Sequence, residues 1–407
     1  MGRSAGGRTS DRYAGNRLDP GAGRPPDPPV IYLDHGATSF PKAPGVSAAV
    51  AQFIDEASGN PGRGGHRLTI KASRAIEDAR TAVAELLDAD PERTLLGPSA
   101  TFWLNTILCG RLGPGDRVVT SALEHNSVMR PLRWLEAQRG ITISVVEGVS
   151  PAGVPTAAEV QEIVGQAPTA LVVLSHASNV SGAVIPVEEV ALRIAPTPVV
   201  VDGAQTAGTL PFAFSRSDLA AFVCSGHKGL QGPSGTGIAL LAEDFEIQPL
   251  IRGGTGSNSE SEDMPVMLPD LLEAGTPNGP GIAGLGAACT WLTDRTVEAI
   301  QDHERALINR CITGMRTIPG LRLTGWVEDM PQTGVLSFTI DREDVGELAT
   351  WLDRERGIAL RAGLHCAPAA HRRLGTFPTG TLRVGVGPQT TEDEVDALVT
   401  ALDERYG

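Results

Sequence analysis

Only three lysines, Lys42, Lys71 and Lys228, stand against 31 arginines in this chain of 407 residues, so any lysine kept for chemistry is one of the three. Lys228 closes the run Ser225-Gly226-His227-Lys228, directly after the apolar stretch that begins at Ala220. A lysine at a strand end, in surroundings that lower its pKa, can form a Schiff base with an aldehyde cofactor. Asp202 ends a second apolar run, Val199–Asp202, and Gln205 follows three residues later. An acid at the same edge can hold the proton of a ring nitrogen, which makes a bound heterocycle an electron sink. Ser225, His227 and the loop Ser99-Ala100-Thr101, which enters a helix, offer donors to a phosphate at a helix N-terminus. His125, in Glu124-His125-Asn126-Ser127, follows a strand and can stack on a planar ring. Taken singly, each residue has a plainer use: a solvated lysine, a capping aspartate, a hydrogen-bonded structural histidine.

The five cysteines, Cys109, Cys224, Cys289, Cys311 and Cys366, are odd in number and scattered, with no CxxC pair. That pattern suits neither a disulfide framework nor a zinc site, so no metal is expected, and it points to a reducing, cytoplasmic setting. Four of the five fall in apolar helices or strands and read as small core hydrophobes. Cys366 follows Gly363-Leu364-His365 and precedes a proline-containing loop, where an accessible thiol is expected. A net charge of -14 argues against binding nucleic acid through bulk charge. No run of about 18 apolar residues marks a membrane span.

These residues need a scaffold that brings strand ends together. Leu171–Ser175 and Val199–Asp202 are continuous apolar runs, as expected for strands covered on both faces. Arg117–Thr120, Ala220–Ser225 and Gly237–Leu241 continue the series, and Ala72–Leu87 has helical spacing. Strands alternating with helices predict an α/β fold with a mostly parallel sheet. Residues 254–281 are loop-like; a helical run over Ala283–Ile318 leads to a smaller α+β unit with strands at Val335–Ile340 and Thr381–Val386. Its last helix, Thr391–Arg405, starts at a Thr-Glu-Asp-Glu cap. The expected division is a disordered tail at 1–28, a large domain at 29–290 opening with an arm at 29–45, and a small domain at 291–407. The tail lacks the apolar core of a secretory signal.

Tyr32-Leu33-Asp34-His35-Gly36-Ala37-Thr38 resembles the opening of class V enzymes dependent on pyridoxal phosphate, of fold type I. So do Glu124-His125-Asn126-Ser127, Ser178-Asn179-Val180-Ser181-Gly182, Asp202-Gly203-Ala204-Gln205 and Ser225-Gly226-His227-Lys228, in the family's order and at comparable spacing. The later segment Arg361-Ala362-Gly363-Leu364-His365-Cys366-Ala367 is similar to the catalytic loop of cysteine desulfurases, the group that includes selenocysteine lyases. Leu382-Arg383-Val384 and Glu273-Ala274-Gly275-Thr276-Pro277-Asn278 are similar to further segments of that group.

The resemblance implies pyridoxal 5'-phosphate carried on Lys228, with Asp202 at the ring nitrogen, Gln205 at the ring hydroxyl and His125 stacked on the ring. It implies Thr101, Ser225 and His227 at the phosphate, joined by Thr276 from the second subunit of a homodimer. Asn179 and Arg383 would bind the substrate carboxylate, with His35 and Arg361 nearby. Cys366 would take sulfur from L-cysteine, or from L-selenocysteine its selenium, leaving L-alanine, and a sulfur-acceptor protein would follow. His365, Arg361 or the substrate-bound cofactor would activate Cys366. A C–S lyase, an epimerase and a catalytically silent binding protein are the other readings; none of these needs the Cys366 thiol. Phe102 and Trp103 depart from the family pattern and predict a bulkier wall. His35 stands where asparagine is usual, and Pro388-Gln389 stands where an aromatic-Asn pair often follows. His66, on a glycine-rich loop resembling an active-site rim, and Arg252 admit rim and structural roles alike.

Overall fold

The structure, a computed structural model, describes residues 30–407 apart from 63, 258, 259 and 342. The tail expected at 1–28 lies outside the described residues. In chain order the strands are β1 (Ile31–Tyr32), β2 (Thr94–Gly97), β3 (Arg117–Ser121), β4 (Thr142–Val146), β5 (Leu171–Ser175), β6 (Val199–Asp202) and β7 (Ala221–Ser225). They continue with β8 (Gly237–Leu241), β9 (Leu321–Thr324), β10 (Val335–Ile340), β11 (Ile358–Ala359), β12 (Arg361–Gly363) and β13 (Thr381–Gly385).

Seven of them form one sheet in the order β2-β8-β7-β6-β5-β3-β4, parallel from β7 to β4, with β8 antiparallel to both neighbours. Alternation along each strand feeds two cores. Val172, Leu174, Val199 and Val201 enter one, while Leu171, Val173, Val200 and Val223 enter the other. Burial on both faces is why these strands are runs of valine and leucine rather than alternating patterns. Parallel strands end together, so Ser121, Ser175, Asp202 and Ser225 emerge along one edge, with Ser175 in register with Asp202. Open α/β sheets bind ligands at that edge.

The second sheet, β12-β13-β10-β9, is antiparallel. Helices Val297–Met315, Val345–Arg356 and Glu392–Tyr406 pack with it around a third core that includes Phe338, Leu382 and Leu402. Leu33 is buried in that core, because β1 pairs in parallel with β11. This pairing carries Asp34 to a bridge with Gly385, beside Arg383. The expected fold, a mostly parallel central sheet with helices and a smaller α+β unit, is the one observed.

Strands β5, β6, β8 and β10 occupy the residues expected of them from the sequence. The helical run read over Ala283–Ile318 is two helices, Gly279–Arg295 and Val297–Met315. Thr296 breaks it with φ 63°, and its side chain accepts from Ala299 N to start the second. The helix read from Ala72 begins earlier, at Arg67, because His66 caps it by accepting from Thr69 N. Among the described residues no helix is long and apolar enough to cross a membrane.

Candidate active site

Asp202 leaves β6 nearly buried; its Oδ1 accepts from Ala204 N at 3.0 Å and its Oδ2 lies 3.2 Å from Ser127 Oγ. Ser127 is in the first turn of the helix Asn126–Arg139, which His125 caps: Nδ1 accepts from Ser127 N at 3.0 Å. Accepting there leaves Nδ1 without a proton. Burial first, and then the charge of Lys228, lowers the His125 pKa to about 4, so the ring is neutral at pH 7.

Glu124, immediately before His125, is fully buried and accepts from Ser121 Oγ at 2.6 Å, Ser175 N at 3.0 Å and Ser175 Oγ at 2.8 Å. Burial pushes its carboxyl up to about 7. It ties the ends of β3 and β5 together beneath the site, a role the sequence reading did not assign.

Lys228 lies three residues past the end of β7. Gly226 permits the turn, since a Cβ there would run into Thr236 Oγ1. Burial lowers the Lys228 pKa to about 8, opposed by the charge of Asp202 and reinforced by Arg383 and Arg361. A crevice of 40 Å³ brings Lys228 together with Thr101, His125, Asn179, Asp202, Gln205 and Ser225. His227 is off that wall, with its Nδ1 3.1 Å from Thr38 Oγ1. Its carbonyl receives Ser39 N at 2.9 Å and Lys42 Nζ at 3.1 Å, so Lys42 fastens the segment near residue 40 to the loop of Lys228. Thr276 is exposed and also off the wall. His35 lines a second crevice instead.

Arg383, 2% exposed, gives Nη2 to Asp34 Oδ1 at 2.9 Å and Nη1 to Asn179 O at 3.0 Å. Its Nε is buried without a partner among the described residues. Arg361, half exposed, gives Nε to Asp34 Oδ2 at 3.0 Å. The Asn179 amide donates to His365 O at 2.6 Å, while its Oδ1 is likewise buried and unpartnered.

Cys366 is exposed, as its loop composition led one to expect. It and His365 are consecutive left-handed residues, with φ 57° and 47°. Cys366 O accepts from Asn126 N at 2.8 Å, which docks the loop on the helix that His125 caps. His365 turns its ring inward, with Nε2 3.0 Å from Thr381 Oγ1. Burial and the Arg383 charge hold its pKa down at about 3. The remaining cysteines are buried, apart from the half-buried Cys109.

One expectation changes, and one left open takes its structural form. The aromatic pair does not thicken the wall: Trp103 is fully buried in a core, with Nε1 donating to Gly237 O at 3.2 Å, and Phe102 packs edge-on against it. A tryptophan next to a polar helix cap carries no sequence sign of which way it turns. His66 is taken up with capping its helix.

A fold with Lys228, Asp202 and His125 at one sheet edge defines a class, and the chain matches the family model for aminotransferase class-V over residues 31–398. The chain belongs to the class V aminotransferase family. It is 32% identical over 389 residues, 93% of this chain and 95% of the relative, to a protein of Methanothermobacter thermautotrophicus named probable cysteine desulfurase. It is 31% identical over 385 residues, 92% of this chain and 93% of the relative, to the cysteine desulfurase CsdA of Escherichia coli. Among solved structures, the apo cysteine desulfurase of Thermococcus onnurineus superposes with a TM-score of 0.86 at 28% identity, covering 93% of this chain and 94% of that one.

Proposed function

We propose that this chain is a cysteine desulfurase: with pyridoxal 5'-phosphate at Lys228, it converts L-cysteine to L-alanine and leaves the sulfur as a persulfide on Cys366 for an acceptor protein. One constellation carries the reading. Lys228, Asp202 and His125 share a crevice wall, and the exposed Cys366 is docked on the helix that His125 caps.

The residues present fit the cofactor. Asp202 suits a protonated ring nitrogen, and Gln205 lies on the same wall for the ring hydroxyl. Ser225, and Thr101 in the first turn of the helix Ala100–Arg111, suit a phosphate. Arg383 Nε, buried and unpartnered, suits an amino acid's carboxylate, and Asn179, whose amide is held by His365 O, lies on the crevice wall beside Lys228. When bound, the cofactor supplies an aldehyde for the substrate amino group and a ring that draws electrons from Cα.

Lys228 Nζ, with its pKa lowered by burial to about 8, takes the Cα proton and later returns a proton to carbon. Asp202 holds the proton on the ring nitrogen. Neutral His125, on the same wall, would pack on the cofactor ring without adding charge. Arg383, already fixed by Asp34, presents its remaining N–H groups to the substrate carboxylate and so sets Cα in place. The Cys366 thiolate attacks the substrate sulfur: the Sγ–S bond forms, the Cβ–S bond breaks, and its electron pair stays with carbon. In sum, L-cysteine and the Cys366 thiol give L-alanine and the Cys366 persulfide. His365 faces Thr381 through Nε2, and burial holds its pKa down at about 3, which makes it a weak base toward the thiol.

The working unit is a homodimer. Supporting this, Thr276 is exposed beside a groove of 1370 Å³ on whose wall Val266 and Met267 are 83% and 72% exposed, an apolar surface that a second copy would cover. Free cysteines suit a reducing compartment such as the cytoplasm.

The test is turnover of L-cysteine by wild type and Cys366→Ser with reductant present, recording alanine and sulfide together. Both products from wild type and neither from the variant support the reading. Full activity in the variant, or pyruvate in place of alanine, reassigns the chain to a lyase.

A further inference from the structure

Cys366 and His365, with φ 57° and 47°, occupy the left-handed region that residues other than glycine rarely take. Two such residues in a row persist only where the surroundings hold them, and they gather where a reacting group has to be presented in one way. Two of the supports act on the backbone: Asn126 N donates to Cys366 O at 2.8 Å, and the Asn179 amide donates to His365 O at 2.6 Å. The third acts on a side chain. The His365 ring, besides meeting Thr381 Oγ1 through Nε2 at 3.0 Å, packs against the ring of His371, with centroids 5.6 Å apart and planes tilted by 40°. That separation is within the range of aromatic packing.

His371 belongs to the short helix Pro368–Arg373, which starts two residues after Cys366. It is fully buried and lines neither crevice. Its Nδ1 lies 2.7 Å from Thr376 Oγ1, and its carbonyl accepts from Thr376 N at 2.9 Å and Phe377 N at 3.2 Å. The helix is anchored in turn. Ala367 and Ala370 are buried in a core of the large sheet, and Arg373 gives Nε to Glu147 O at 2.8 Å and Nη2 to Ser150 O at 2.7 Å. Burial lowers the pKa of His371 to about 4 and, with the Arg383 charge, that of His365 to about 3, so the two rings meet uncharged at pH 7.

We propose that His371 is a positioning residue for Cys366: its imidazole, packed on that of His365, holds the two left-handed residues in place and so sets where the thiol meets the substrate sulfur. His371 touches neither substrate nor cofactor and acts through His365. Without its ring a gap opens beside His365, and the loop is free to relax toward an ordinary backbone that carries Cys366 off its line of attack. A misplacement of about 1 Å, even from a change far from the chemistry, costs as much as about 100-fold in rate. The inference rests on the reading of Cys366 as the sulfur-accepting thiol.

The test compares cofactor-loaded wild type, His371→Ala and His371→Asn. It measures kcat and KM for alanine formation, persulfide on the Cys366 peptide by mass, the visible lysine-linked absorbance, and unfolding in denaturant. Asparagine keeps a polar group for Thr376 but has no ring. Positioning through the ring predicts a kcat about tenfold lower in both variants, with KM and absorbance unchanged, even where asparagine recovers stability that alanine loses. A merely structural histidine predicts that kcat follows stability, so that a folded His371→Asn turns over like wild type. That result overturns the proposal, as does a loss confined to KM. If alanine prevents folding, the asparagine variant decides alone. Wild type that makes alanine with no persulfide on Cys366 overturns the desulfurase reading, and the role of His371 with it. A persulfide on wild-type Cys366 beside an unaltered kcat in His371→Asn overturns the role and leaves the reading standing.

Discussion

Asp34 and Arg383 are 349 positions apart in the chain and meet as a buried ion pair, Oδ1 to Nη2, at 2.9 Å. The second oxygen of Asp34 goes to Arg361 at 3.0 Å, so one carboxylate orients both arginines that flank the Cys366 loop. The fold makes this meeting possible, because β1 pairs with β11 in a two-stranded sheet of its own, and the chain then bridges from Asp34 to Gly385 at the end of β13. Removing Asp34 leaves Arg383 buried and uncompensated. Asp34→Ala is therefore expected to lose about 3 kcal/mol of unfolding free energy, the usual scale for breaking a buried pair. Denaturant unfolding measures it; a loss within error of zero would show that Asn179 O alone satisfies the guanidinium.

Arg383 itself tests the substrate end. Arg383→Lys keeps the charge and removes the planar fork. L-Cysteine binding should weaken by about 2–5 kcal/mol, the scale for truncating one partner of a buried charge pair. The lysine-linked absorbance should stay intact. An unchanged concentration dependence on L-cysteine would remove Arg383 from the substrate site.

The pH dependence of cofactor capture follows from Lys228. Its pKa is lowered from the ordinary lysine value of 10.5 to about 8, so the amine that attacks an aldehyde is the minor form below pH 8 and the major form above. The rate at which cofactor-free chain acquires visible absorbance should rise about tenfold per pH unit below 8 and level off above it. A midpoint near that of exposed lysine would mean that burial does not govern this amine. In Lys228→Ala no such absorbance should develop at any pH.

Much of this was legible in the residues. Continuous apolar runs marked β5 and β6, because a strand covered on both faces has no choice but to be apolar. Ser175 and Asp202, which end those two runs, both reach the first crevice. The supporting acids were not legible. Glu124 and Asp34 are each buried by contacts with residues distant in sequence, and a lone carboxylate in an apolar stretch looks the same whether it will be paired, protonated or exposed. The break at Thr296 was hidden for a different reason: helical periodicity continues across it, and only its positive φ reveals two helices.

Arg80 and Glu273 extend the same logic to the segment carrying Thr276. Arg80, 4% exposed, gives Nη1 to Glu273 Oε1 at 2.7 Å and Nη2 to Oε2 at 3.0 Å, the bidentate geometry that fixes direction as well as distance. Leu96 N donates to the same Oε1 at 2.6 Å, and Arg80 Nη1 also reaches Thr94 O at 2.6 Å. The loop before Thr276 is thus tied to β2, three residues from the position expected to enter the partner's site. Glu273→Ala leaves the guanidinium with only Thr94 O and the exposed Glu77, whose Oε2 lies 3.2 Å from Nε, and should cost about 3 kcal/mol. If the pair also presents Thr276, the variant should dissociate at protein concentrations where wild type is dimeric. The double variant Arg80→Met, Glu273→Leu separates the two effects. Apolar replacement of both partners is often neutral for folding, so stability should recover while presentation of the loop does not. Solution mass measured against concentration, alongside unfolding, reads both. A double variant as dimeric as wild type would confine the pair to holding β2 against its loop.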